Sequence, residues 1–189
     1  YRDRDDYATV RYHYWLVVQD LLKTAYFIQV RDWCRRNNLL FSGHLMAEDT
    51  LASQLLRAGA TMPYYKYFDI PGIDYLTAEM NWRHAPLRAR SEASGFRQGM
   101  YTTPLQCCSA AHQAGQTQIL AEMYGVSSEN LTLRDQKNMF DHFASFGINH
   151  KSVHGIFYSL RGRGKRAYPP HVHYYQPYWQ DYKALTDYC

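Results

Sequence analysis

Ile119-Leu120-Ala121-Glu122-Met123-Tyr124-Gly125 is an apolar run interrupted by a single carboxylate, and Leu39-Leu40-Phe41-Ser42-Gly43-His44-Leu45-Met46-Ala47 runs into the pair Glu48-Asp49. Acids placed at the ends of two buried strands supply what cleavage of a glycosidic bond requires. One carboxylic acid protonates the departing oxygen, while a carboxylate attacks the anomeric carbon or activates water. Glu122 reads as the nucleophile or base and Glu48 as the general acid. Asp49 is the alternative acid, because a one-residue shift of the strand end exchanges it with Glu48. The plainer alternative is that Glu48 or Asp49 caps the helix that follows, and that Glu122 is a loop carboxylate paired with an arginine.

Around these acids lie groups able to bind sugar hydroxyls. His44 comes just before Glu48, His112 one helical turn before Gly115, and His154 within the last expected strand; each can donate to a hydroxyl or orient a carboxylate. Tyr124 follows Glu122 closely, Tyr158 closes the last strand, and Asp69 and Asp74 flank the turn Ile70-Pro71-Gly72-Ile73. Tyr64, Tyr65, Tyr67 and Trp82 are candidate stacking surfaces for a pyranose ring. Arg161 opens the dense basic stretch Arg161-Gly162-Arg163-Gly164-Lys165-Arg166, which suits an anionic substrate group or a solvated turn. His150, His154, His171 and His173 lack a carboxylate at ligand spacing, so no metal ligand is assigned.

The elements that must position these groups follow from periodicity. Trp15, Val18, Leu22, Tyr26, Val30 and Trp33 recur at three- and four-residue steps, predicting one long amphipathic helix that Asn37-Asn38 stops. A buried strand is expected over 39–45, then a helix capped by Asp49 or Thr50 and ending near Gly59. Residues 62–75 read as a tyrosine-rich loop leading to a short strand over 73–76. A helix opening at Thr103-Pro104, a strand over 117–123, a helix over 131–146 and a strand over 152–159 complete the order, before a helical piece over 177–188. Alternation of strands and helices without hairpin signals implies a parallel sheet, either a doubly wound sheet or a barrel. No Gly-x-Gly-x-x-Gly run or phosphate loop follows a strand.

Composition narrows the class. The chain has 189 residues, 46% of them hydrophobic, enough for the core of one domain and too apolar for a disordered chain. It begins at Tyr1, and residues 1–189 read as a fragment of one domain cut from a longer protein. A formal charge of +4 with interspersed acids gives little support for nucleic acid as a partner. No run is long enough to span a bilayer, so no membrane is expected. Cys34, Cys107, Cys108 and Cys189 show neither metal-knuckle nor disulfide spacing, which favours reduced thiols and a cytoplasmic location.

Four stretches, Gly43-His44-Leu45-Met46-Ala47-Glu48-Asp49, Asp69-Ile70-Pro71-Gly72-Ile73-Asp74, Ser109-Ala110-Ala111-His112-Gln113 with Gly115, and Ile119-Leu120-Ala121-Glu122-Met123-Tyr124, resemble large bacterial glycoside hydrolases with a TIM-barrel catalytic domain, of the α-L-rhamnosidase-like and β-galactosidase-like group. The resemblance covers nearly the whole chain. It implies a partial (β/α)8 TIM barrel, about strands 4 to 8, with Glu48 after strand four and Glu122 after strand seven. Many such barrels carry Asn before the acid, where this chain has Ala47. The same resemblance implies a carbohydrate substrate, no cofactor apart from a calcium ion in some members, and partners in the remainder of the barrel and in β-sandwich domains. A fragment of this kind is expected to fold poorly and to hydrolyse nothing by itself. The rival reading from the residues is a non-catalytic carbohydrate-binding or structural α/β domain.

Overall fold

A computed structural model describes residues 2–75, 89–125, 127, 131–156, 159, 161–162, 172 and 174–189, with the side chains of residue 75 and of residues 89–98 excepted. Helix α1 (Tyr7–Leu22) passes through a π-helical turn (Lys23–Phe27) into α2 (Ile28–Arg36). Strand β1 (Ser42–Gly43), helices α3 (Leu51–Ala58) and α4 (Met62–Tyr65), strand β2 (Ile70–Tyr75), helix α5 (Ala89–Gln113), strand β3 (Leu120–Met123), helix α6 (Leu133–Ala144) and strand β4 (His150–Val153) follow. A 3-10 turn (Trp179–Asp181) leads into α7 (Tyr182–Tyr188).

All four strands are parallel and lie in chain order, β1-β2-β3-β4. A doubly wound sheet reverses its strand order at a switch point; here the order does not reverse, and the sheet curls as a half-barrel compatible with part of an α/β barrel. On β3 the side chains alternate. Ala121 and Met123 are buried against Cys107, Cys108 and Ala111 of α5 and Met139, Phe140 and Phe143 of α6, while Leu120 and Glu122 turn to the other face. Thr132 caps α6 in a reciprocal pair with Asp135, and Thr50, one of the two residues expected to do so, caps α3 by accepting the Ser53 N–H.

Three elements depart from expectation. The long N-terminal helix keeps Trp15, Val18 and Leu22 half-buried, but the π turn inserts one residue, so Phe27 rather than Tyr26 enters the core. Phe27 then stacks on Tyr64 at 4.9 Å and joins Phe41 and Phe68, while Tyr26 and Trp33 stay exposed. The supposed turn around Pro71 is strand β2; β1 pairs with it over only two residues, Ser42 with Ile70 and Gly43 with Pro71, so the missing proline N–H falls at the end of a short ladder. Pro104 lies inside α5 rather than at its start. The Met100 carbonyl, which residue 104 would have met with an N–H, accepts instead from His142 Nε2 of α6 at 3.0 Å.

Candidate active site

Parallel pairing aligns Asp74 of β2, Glu122 of β3 and Ser152 of β4 in one lateral row on the face opposite the helices. Neighbouring strands are about 4.8 Å apart, so the row brings two carboxylates together from elements distant in sequence. His44, the residue after β1, closes the group. Its Nε2 is 2.5 Å from Glu122 Oε2, and its Nδ1 donates to the Leu45 carbonyl at 2.6 Å. One ligand atom from each of His44, Asp74 and Glu122 lies within 4.8 Å of the others. His154, immediately after β4, brings Nε2 to 3.6 Å from Glu122 Oε1. Its ring lies against Gly125, where an added Cβ would sit 2.6 Å from His154 Cγ.

The electrostatics differ across the group. Burial pushes the Asp74 carboxyl above its ordinary value; His44 and His154 oppose the shift and the charge on Glu122 reinforces it. For His44 burial acts downward, but the Leu45 carbonyl and the charges of Asp74, Glu48 and Glu122 outweigh it and raise the imidazole's proton affinity. A protonated His44 thus donates to Glu122 through Nε2 while Nδ1–H holds the ring to the backbone.

Glu48 does not face this group. It is 2% exposed, and Ala47, at φ +57°, turns the chain just before it. Its Oε1 accepts from the Leu45 N–H at 3.1 Å and the Tyr65 hydroxyl at 2.8 Å, and its Oε2 accepts from the Asp74 N–H at 2.6 Å. Burial pushes its carboxyl up to about 7 against these three donors. The expectation that Glu48 projects from a strand end toward a sugar is therefore corrected: it ties the turn after β1 to the end of β2, directly beneath Asp74. Asp49 packs its backbone on Gly99 of α5, where an added Cβ would come 2.9 Å from Asp49 Cα.

Several other expected site residues sit elsewhere. Asp69 and His112 precede β2 and β3, and so belong to the opposite rim of the sheet. Asp69 there accepts from Arg35 Nη2 at 2.9 Å and from the Phe41 N–H at 2.9 Å, clamping α2 to the segment entering β1. His112 is exposed beside Gly147. Tyr124 is fully buried at φ +74°, its hydroxyl donating to the Gln136 carbonyl, because the turn after β3 drives the ring under α6. Tyr64 and Tyr65 are buried core residues. Arg161 is exposed, its N–H donating to Ser159 Oγ. Trp82, Tyr158, His171 and His173 lie outside the described residues. Ser152, absent from the expected set, joins the row through strand register alone.

Calcium takes six to eight oxygen ligands. Among the described residues this group offers two carboxylates with one imidazole within 4.8 Å and a second imidazole close by, a donor set that does not fit calcium. Cys34, Cys107, Cys108 and Cys189 are free thiols, and among the described residues no helix is long and apolar enough to cross a membrane. No family model, curated protein or solved structure matches the chain.

Proposed function

We propose that the chain contributes half of a (β/α)8 barrel of a glycoside hydrolase, with Glu122 as nucleophile and Asp74, in place of Glu48, as acid/base. The observation that carries this reading is the pair of carboxylates in one row, an oxygen of each within 4.8 Å of the other, one with raised proton affinity and one held by an imidazole. Catalytic groups of parallel barrels gather at strand C-termini, where Asp74, Glu122, His44 and His154 all lie.

The separation favours retention. Retaining enzymes hold their carboxyl groups about 5–5.5 Å apart, whereas inverting enzymes leave roughly 6.5–9.5 Å for a water. A Glu122 oxygen attacks the anomeric carbon as the bond to the leaving oxygen breaks, and that oxygen takes the proton from Asp74. The Asp74 carboxylate then removes a proton from water; the water oxygen attacks the anomeric carbon, and the ester to Glu122 breaks. His44 orients Glu122 for both steps, and His154 sits beside its second oxygen.

The test uses the complete protein that carries this chain, assayed on a panel of aryl glycosides. Glu122→Gln and Asp74→Asn should each lower kcat by about 10²–10⁴-fold, and the product should keep its anomeric configuration. Azide should restore turnover to Asp74→Ala with a retained glycosyl azide and to Glu122→Ala with an inverted one. Retarded ligand without aglycone release from any glycoside would instead support a carbohydrate-binding domain.

A further inference from the structure

We propose that His44, Asp74 and Glu122, with His154 as fourth ligand, form a site for a divalent ion of the zinc class. The three donors within 4.8 Å come from the C-terminal ends of three adjacent strands, and His154 from the fourth. An ion about 2.0–2.2 Å from each donor spaces tetrahedral ligands roughly 3.3 Å apart. For His44, Asp74 and Glu122 that spacing lies between the 2.5 Å contact of His44 with Glu122 and the 4.8 Å span of the three, so small rotations of these side chains suffice to seat it. His154, outside that span but 3.6 Å from Glu122 Oε1, turns in as the fourth.

A second observation points the same way. His44 donates Nδ1–H to the Leu45 carbonyl, which fixes the tautomer and, in the neutral ring, leaves the Nε2 lone pair on the side of Glu122. Metal-binding histidines are held by this kind of outer hydrogen bond. His154 reaches the group with Nε2 while its ring rests on Gly125. Two imidazoles and two carboxylates suit a borderline-soft ion and neutralise its charge, whereas calcium prefers oxygen donors alone. Ion binding does not depend on the hydrolytic reading. One consequence does rest on it: an ion holding both Asp74 and Glu122 inhibits turnover.

Calorimetric titration of the metal-stripped protein with zinc chloride and, separately, calcium chloride tests the site. Expected are one zinc per chain, bound more tightly than calcium, and affinity at least about tenfold weaker in His44→Gln and in His154→Gln. Unchanged melting in chelator confirms that these variants fold. Absent zinc binding, tighter calcium binding, or unaltered affinity in His44→Gln overturns the proposal. Cobalt(II) added to the unmodified protein gives a measurement free of variants: the strong visible absorption of four-coordinate cobalt supports the site, and only the faint band of six-coordinate cobalt counts against it. Zinc uptake together with no glycoside turnover by the metal-stripped protein leaves the ion site standing and removes the hydrolase; turnover without zinc uptake does the reverse.

Discussion

Glu48 receives three donors in a site closed to water, so a neutral amide in its place leaves the Asp74 N–H facing a second donor. Above pH 7, where the carboxylate accepts all three, Glu48→Gln should cost about 1–3 kcal/mol by denaturant unfolding. It should also change the pH profile. Burial moves the carboxyl from 4.5 to about 7, so between these values the folded chain holds a proton that the unfolded chain has released. Its contribution is fully present below 4.5 and is lost as the pH rises through 7. The stability gap between wild type and Glu48→Gln should therefore narrow across that window and stay level above it; a gap independent of pH sinks the assignment. The place of Glu122 in the row was legible because it is the lone acid in an apolar run. Glu48 was misleading because two consecutive acids carry no sign of the left-handed turn at Ala47 that sends the first inward. Asp74 gained its place from pairing register, which one strand's sequence does not contain.

At the scale of elements, α5 and α6 are joined where a proline has removed a helical donor. His142→Ala should leave the Met100 carbonyl without its partner, lowering stability by about 1–3 kcal/mol, while Pro104→Ala returns an N–H to the same carbonyl. The two changes should be strongly non-additive, with Pro104→Ala recovering most of the loss, as a double-mutant cycle by thermal melting will measure. Additive effects would show that Met100 is not the link. Helix α3 was legible through its cap at Thr50 but not through its leucines, since Leu51 and Leu56 stay exposed while Gln54 and Ala58 are buried, and α6 was legible through its apolar spacing. The start of α5 was not, because Pro104 reads as an N-terminal residue when the partner that compensates for it is on another helix. The last strand is shorter and earlier than its apolar run implied: β4 stops at Val153, and His154 stands at the rim.

For the whole molecule, the unsolved geometric problem is the sheet's two edges. Among the described residues β1 and β4 each pair on one side only, and Leu39 and Leu40, 51% and 67% exposed, lead into β1. Helix α1 has no buried residue and leaves Val10, Tyr12, Tyr14, Leu16, Val17 and Leu21 exposed. Parallel sheets are normally covered on both faces, and open edges recruit other strands; closing a barrel of about eight strands removes both. That the strands run parallel was legible from alternation, whereas their order, curl and edges depend on how many strands are present and how they pair, which no local pattern encodes. The 189-residue chain on its own should therefore self-associate in sedimentation velocity, with a weight-average mass that rises with concentration. Leu40→Lys should lower that mass by placing a charge at the β1 edge. In a complete barrel the same edge is paired and the lysine must be accommodated beside it, so there the substitution should lower the melting temperature instead. A folded 189-residue chain that stays monomeric at every concentration would show that this half-sheet needs no other strands.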